Sequence, residues 1–223
     1  IFYRGNSKGN IGDYPGAIAD YRRAVALNPK NAEAIFYTAN AEVNLKKYDE
    51  AIVDYKRAIA LNPDLPNAYK YLASALSHAT NQQTAQSYYG DAIKRTPTNA
   101  EAYLYDGIVK KNRNDTTAAL ADFDKAIELN PKYSDALQNR ADLKYGNKHY
   151  AEAKMDADSA INTDPKNGQA YLTRARIQIE LKDTTAAFND ADKAVSLNPN
   201  NDYAYVIRAD VEALQKKYAK AAL

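Results

Sequence analysis

The sequence predicts an all-α chain in which one antiparallel helix pair recurs along the whole length. Three observations carry that prediction. Prolines fall at Pro29, Pro63, Pro97, Pro131, Pro165 and Pro199, each 34 residues after the last, with only Pro15 and Pro66 outside the series. Small residues keep the same period in three columns: Gly5, Ala39, Ala73, Gly107, Ala141, Ala175 and Ala209; Ala17, Ala51, Ala85, Ala119, Ala153, Ala187 and Ala221; Ala24, Ala58, Ala92, Ala126, Ala160 and Ala194. Between the columns, apolar residues recur at helical spacing. Ile35, Ala39 and Val43 form one stripe, and Ala51, Ile52, Tyr55, Ala58, Ile59 and Leu61 form a second after the break at Lys46-Lys47-Tyr48. Small columns at a fixed period mean close helix crossings, because only a short side chain lets two axes approach to the near end of the usual ~8 to 10 Å.

Taken in order, each element has its own start and stop signals. Residues 1–31 enter partway through a first helix, turn at Asp13, resume at Pro15 and stop at Asn28-Pro29. Asp13, Asn81, Asp115 and Asp183 stand at the turns, where a carboxylate or amide oxygen accepts from the first free amides of the second helix, and Pro15 suits that helix's first turn. Asn28, Asn62, Asn130, Asp164 and Asn198 each precede a repeat proline, which pushes them out of helical dihedrals and ends the second helix. The stretch 66–99 departs most from the pattern: Gln82 replaces the turn tyrosine, Gly90 lies inside the second helix, and Arg95 occupies the column of Leu27, Leu61, Leu129 and Leu197. It is expected to be the softest part. At the end, 202–223 should supply a first helix and the start of a second one, with Ala221 in its small column.

The hairpin geometry also predicts charge pairs. Arg4 and Asp20, Arg140 and Asp156, and Arg174 and Asp190 are each 16 residues apart, centred on Gly12, Lys148 and Lys182 in the turns. Residues equidistant from a turn face each other across an antiparallel pair, so three structural ion pairs are expected. The third unit holds Leu72 and Tyr88 at the two places, both uncharged, whereas Asp106 and Asp122 in the fourth would be alike.

The run Ala32-Glu33-Ala34-Ile35 through Tyr48-Asp49-Glu50-Ala51 to Ala58-Ile59-Ala60-Leu61-Asn62-Pro63 resembles the tetratricopeptide repeat, and the resemblance extends over the whole chain as five full 34-residue units plus partial units at both ends. On the proline frame the boundaries are 1–31 (partial), 32–65, 66–99, 100–133, 134–167, 168–201 and 202–223 (partial). The resemblance implies a single right-handed superhelical α-solenoid, with first helices lining a concave groove that holds a peptide or helix of a partner protein. Terminal units of a solenoid cannot bury their faces alone. The chain is therefore expected to be a segment of something longer, and its uncapped ends to be capable of self-association.

Composition narrows the function. The 223 residues include no Cys, 2 His, 1 Met and a net charge of +2 from 30 Lys+Arg and 28 Asp+Glu, with both signs interspersed. Thiolate chemistry is excluded. His78 and His149 belong to different units and read as solvated polar residues; no glycine-rich phosphate loop, serine elbow or His-x-x-x-His pair occurs. The expectation is no enzyme, no cofactor and no metal. Interspersed charge argues against a nucleic-acid footprint, and no apolar run approaches the ~18 residues of a membrane helix.

The groove columns implied by the resemblance divide the chain. Tyr3, Tyr37, Tyr71 and Tyr105 are followed by Asn139, Thr173 and Ile207; Phe2, Phe36, Lys70 and Leu104 by Gln138, Leu172 and Val206; Asn6, Asn40, Ser74 and Ile108 by Asp142, Arg176 and Asp210; Asn10, Asn44, His78 and Asn112 by Gly146, Glu180 and Leu214. The candidate peptide-binding residues are Phe2, Tyr3, Asn6, Phe36, Tyr37, Asn40, Asn44, Lys70, Tyr71, Tyr105 and Asn112. Aromatic rings would supply contact area, and asparagine amides could pair with both the donor and the acceptor of an extended backbone. Some members of the family clamp a C-terminal carboxylate; Lys70 matches one element of that clamp, but Ser74 and Tyr105 stand where amides would be required. Two readings remain: a peptide-binding module, or a scaffold, spacer or self-associating arm whose tyrosines simply fill space between helices.

Overall fold

The computed structural model describes residues 1–78 and 82–221, with side chains for all of these except 82–86 and 217–221. Among the described residues the chain forms thirteen helices and no strand. They fall into two compact units, Ile1–Lys110 and Lys111–Leu223. The first carries α1 (Phe2–Asn10), α2 (Tyr14–Leu27), α3 (Ala32–Asn44), α4 (Tyr48–Leu61), α5 (Ala68–His78), α6 (Gln82–Arg95) and most of α7 (Ala100–Asn112). The second carries α8 (Thr116–Leu129), α9 (Ser134–Gly146), α10 (Tyr150–Thr163), α11 (Gly168–Glu180), α12 (Thr184–Leu197) and α13 (Asp202–Ala221). Each helix from α1 to α6 and from α8 to α13 packs on the next, α6 meets α7 through Tyr89 and Tyr105, and first helices also meet one another: α1 with α3, α3 with α5, α9 with α11, α11 with α13. This is the stacking of an all-α solenoid. On the proline frame, the pair α1/α2 opens with a helix of 9 residues where α3, α7, α9 and α11 have 13.

The local chemistry forms the elements as the spacing requires. Asp13, Asp115 and Asp183 accept from the backbone N–H of Gly16 (3.0 Å), Ala118 (3.3 Å) and Ala186 (3.0 Å). Asn81, also expected to cap, lies outside the described residues. The first helices have caps of their own that the sequence reading did not single out: Asn31, Asn99 and Asn167 accept from Ala34, Ala102 and Ala170 at 2.9, 2.9 and 3.0 Å. At the other end, Asn28, Asn62, Asn130 and Asp164 are extended, as the following proline dictates. Each then folds its side-chain oxygen back onto the amide two residues on, completing a turn.

The turns inside the pairs share a left-handed residue at one column: Gly12, Lys46, Asn114, Lys148 and Lys182, with φ between 60 and 83°. Only glycine takes that conformation without cost; for the lysines it costs about 1 kcal/mol, which docking of the second helix must offset. The last turn is different. Lys216 stands in the same column, yet α13 runs unbroken for 20 residues from Asp202 to Ala221, so the expected second helix does not start there.

The small columns are buried as close crossing requires. Ala17, Ala51, Ala119, Ala153 and Ala187 are fully inaccessible, as are Ala39, Ala141 and Ala175. At Gly5 a Cβ would lie 2.6 Å from the Tyr21 ring, so a side chain there would have to push that ring aside. Tyr55, Tyr89, Phe123, Leu172 and Ile177 fill the spaces between the alanines, and each such ring or branched chain contributes about 1.5–3 kcal/mol of burial.

The expected ion pairs form in all three pairs of helices. Arg140 Nε and Nη2 donate to the two oxygens of Asp156 at 2.8 and 2.6 Å, Arg174 grips Asp190 the same way at 2.6 and 2.7 Å, and Arg4 holds Asp20 through both nitrogens. A lysine one turn on strengthens two of them: Lys8 lies 2.9 Å from Asp20, and Lys144 lies 2.9 Å from Asp156. Asp106, the unlike member of the series, pairs with Lys110 on its own helix at 2.9 Å.

Candidate functional site

The first helices of the Ile1–Lys110 unit bring part of the candidate set together. A cleft of about 360 Å³ opens between α1 and α3, and its walls include Asn6, Asn10, Tyr14, Tyr37, Asn40 and Asn44. Helical geometry makes the grouping: Asn6 and Asn10 are one turn apart on α1, as Asn40 and Asn44 are on α3, so four amides stand on two adjacent rungs. Tyr37 is 39% exposed and leans on Phe2, ring centroids 5.6 Å apart, which is itself half-buried against Tyr21.

The amides are held rather than loose. Tyr21 donates its hydroxyl to Asn6 Oδ1 at 2.8 Å, and Tyr55 donates to Asn40 Oδ1 at 2.6 Å. Asn44 Nδ2 donates to the Asn40 backbone carbonyl at 2.9 Å. Burial pushes the Tyr55 hydroxyl well above its ordinary pKa and raises that of Tyr21, so both keep the proton that they donate.

The remaining candidates spread out. Tyr71, 45% exposed, stacks on Tyr55 at 6.4 Å and meets Phe36 edge-on at 5.5 Å. Tyr3 is 80% exposed beside Phe2. Phe36 and Tyr105, at 7% and 9% exposure, are packing residues: Phe36 sits among Tyr37, Tyr55 and Tyr71, and Tyr105 stacks on Tyr89 at 6.1 Å. Lys70 is exposed, its backbone N–H donating to Glu101 at 3.2 Å. Asn112 is exposed and belongs to the other unit. Tyr14 and Tyr21 were not singled out as site residues, although their columns repeat as Tyr48 and Tyr55. Tyr48, in the column of Tyr14, stacks on His78 with centroids 4.7 Å apart.

The corresponding columns in Lys111–Leu223 are occupied by the chain's own charges. Lys111 donates to Asn139 at 2.9 Å and to Asp142 at 3.2 Å, and Arg176 donates to the other oxygen of Asp142 at 2.9 Å while lying 4.3 Å over the Tyr145 ring. Gln138 donates to Thr173 at 3.3 Å. Among the described residues no cluster of three or more His, Asp or Glu is arranged to hold a metal ion, and no helix is long and apolar enough to cross a membrane.

Comparison with known proteins addresses the fold. Family profiles described as tetratricopeptide repeat match residues 4–66, 107–133, 123–155 and 168–201, together more than half of the chain. No curated protein sequence matches. Among solved structures, the chain is similar to one in the Cut9–Hcn1 hetero-tetramer of the APC/C at 16% identity with a TM-score of 0.73, covering 94% of this chain and 42% of that one. It is similar to yeast Tom70 at 21% identity and TM-score 0.73, covering 92% of this chain and 44% of that one. It is also similar to YrrB, described as a TPR protein with an unusual peptide-binding site, at 18% identity and TM-score 0.55, covering 85% of this chain and 97% of that one. The chain thus spans less than half the length of the first two. Period, caps, small columns and profile matches agree: the chain belongs to the tetratricopeptide repeat family.

Proposed function

We propose that the chain is a non-catalytic protein-interaction module, and that the groove of its Ile1–Lys110 unit holds an extended or helical segment of a partner protein. The observation that carries this reading is the α1/α3 cleft, where exposed aromatic surface at Tyr37 lies among four asparagine amides. YrrB, of similar fold, lends support as a protein with a peptide-binding site. Tyr3, Tyr37 and Tyr71 supply contact area, Phe2 and Phe36 brace those rings from behind, and Asn6, Asn40 and Asn44 address the ligand backbone; Lys70 borders the rung of Tyr71. Neighbouring first helices lie about 10 Å apart and an extended strand rises about 3.3 Å per residue, so each rung reads about three residues.

A library of displayed decapeptides selected on the whole chain supplies the probe, resynthesised with an acetylated N-terminus and an amidated C-terminus. Tyr37→Ala with Tyr71→Ala should abolish binding of that peptide while circular dichroism retains the helical signal. Binding that survives the double substitution, or a selection that yields no peptide, overturns the reading.

A further inference from the structure

Both asparagines of the first-helix column have a tyrosine behind them on the second helix. Where the first helix carries Asn6 or Asn40, the second helix carries Tyr21 or Tyr55, 15 residues on, and the two are hydrogen-bonded. Where the first helix carries Ser74, the Tyr89 hydroxyl turns elsewhere, 3.4 Å from the Tyr69 carbonyl. Where it carries Asp142 or Arg176, the second helix carries Ala157 or Ala191 and no hydroxyl at all. A ring also fills this place without an amide, as Tyr89 behind Ser74 and as Phe123 behind Ile108, so what accompanies the asparagine is not the ring but the bond from its hydroxyl.

An amide whose oxygen is held by one bond keeps a second lone pair, but its orientation is set and its NH₂ group is turned away from that partner. In both Asn6 and Asn40 the side-chain oxygen is taken by a buried phenol, and the NH₂ groups have no partner among the described residues. A free asparagine can rotate to serve as donor or acceptor, but these two are fixed as donors. The cleft walls contain no Lys, Arg, Asp or Glu, so nothing there favours a charged group over a neutral one.

We propose that Tyr21 and Tyr55 are positioning residues that lock Asn6 and Asn40 as hydrogen-bond donors, so that the groove recognises neutral acceptors, the backbone carbonyls of an uncharged segment, rather than a carboxylate or phosphate. The inference rests on the groove reading above and adds its polarity. The two donors stand on adjacent rungs, so the carbonyls they address are about three residues apart in an extended ligand.

The test uses the capped peptide selected on the wild-type chain and a set of analogues in which one backbone carbonyl oxygen at a time is replaced by sulfur. A thioamide is a weaker acceptor and a stronger donor than the amide it replaces. At the two positions that address Asn6 and Asn40, the replacement should weaken binding to the wild-type chain about fivefold, the worth of one neutral hydrogen bond. In Tyr21→Phe with Tyr55→Phe the amides rotate freely, and the ratio of amide to thioamide affinity should fall towards one. The single variants should each lose the ratio at their own position, which keeps the test intact if the double variant folds poorly. Wild-type affinity should change less than twofold between low and high salt, and a free C-terminal carboxylate should bring no gain. An unchanged ratio in the phenylalanine variants reduces the tyrosines to packing residues and overturns the proposal, as does tighter binding of the thioamides or of a carboxylate-ended peptide. Loss of the groove itself shows differently, as peptide binding indifferent to Tyr37→Ala with Tyr71→Ala.

Discussion

In Lys111–Leu223 the first helices place arginines at 140, 174 and 208, and the first two reach in two directions. Arg140 bonds Asp156 in its own pair and Asp124 on the preceding second helix at 2.7 Å; Arg174 bonds Asp190 and, at 2.8 Å, Asp158; Arg208 bonds Asp192 at 2.9 Å. In Ile1–Lys110 the same column reads Arg4, Thr38, Leu72 and Asp106, and among these only Arg4 makes the bridge. In the second pair the charges are inverted. The first helix supplies the acid, Glu42, and the preceding second helix supplies the base, Arg22, at 2.8 Å. Asp54, in the column of Asp20, adds a second carboxylate nearby. One half is thus stitched by shared arginines, which leaves its groove columns to close on themselves; the other has packing by aromatic rings and leaves amides open.

The largest expected effect breaks the stitching. Arg174→Ala strands Asp190, which is nearly inaccessible, and should cost about 3 kcal/mol in a urea melt of the whole chain. Replacing both partners, Arg174→Leu with Asp190→Leu, should cost much less, since no charge is left uncompensated. Arg4→Ala should also cost less, about 1 kcal/mol or under, because Arg4 is largely exposed and Lys8 still holds Asp20. Equal losses at 4 and 174 would erase the contrast between the halves.

How much of this could be read beforehand follows from the range of each constraint. The pairs 16 residues apart were legible because an antiparallel hairpin fixes which residues face each other, whatever its neighbours do. The backward reach of Arg140 and Arg174 to Asp124 and Asp158 was not, since it depends on how one pair rotates against the previous one. The groove shows the same limit. Tyr37 and Tyr105 share a column, yet one is exposed and the other covered by Tyr89, and Phe36, one residue from Tyr37, turns inward. A helical period places residues on a face but leaves the depth of each rung to the packing behind it. The course of α13 shows the limit again: the small column continues to Ala221, yet the helix runs on through Lys216, where other pairs turn.

The second prediction titrates the contrast. Burial first, then the nearby charge of Asp54, raises the Glu42 carboxyl above its ordinary value against the pull of Arg22. One of its oxygens, Oε2, is buried without a partner, and the residue is 1% exposed. With the folded pKa above the unfolded one, the folded chain holds a proton that the unfolded chain releases, so this contribution to stability is present below about pH 4.3 and fades as pH rises through the folded value. Asp158 has the opposite sign: burial pushes it up, but hydrogen bonds from Lys154 and Arg174 outweigh that and hold it below its ordinary value. Its contribution is present at neutral pH and lost as pH falls below about 3.9 through the folded value. Glu42→Gln keeps an acceptor for Arg22 and removes the charge. It should stabilise the chain by about 1 kcal/mol at pH 7.5, the scale of one unsatisfied buried polar group. The gain should vanish near pH 4. A variant less stable than wild type at pH 7.5 would mean that the Arg22 ion pair outweighs the burial of Glu42.

The smallest effect concerns the rung where neither device operates. Between α5 and α6 the bridging places hold Leu72 and Tyr88, and Lys56 of the preceding helix lies 5.1 Å over the Tyr88 ring instead of meeting a carboxylate. Gly90 stands inside α6, where a missing Cβ leaves the backbone more to lose on folding. A Cβ built there meets nothing within 4 Å, and the residue is not in the left-handed region, so an alanine brings no clash and no strain. Gly90→Ala should therefore stabilise the chain by about 0.5–1 kcal/mol. If α6 is the weakest second helix, the gain should show in amide exchange as slower opening of α6 before any change in α10 or α12. The matched control is Gly5→Ala, where the new Cβ would stand 2.6 Å from the Tyr21 ring and push the phenol off Asn6. That substitution should destabilise α1 and α2 and release the amide it holds. Should Gly90→Ala leave exchange in α6 unchanged, the weakness of this rung would lie in its missing ion pair rather than in its glycine, and Leu72→Arg with Tyr88→Asp becomes the change that tests it.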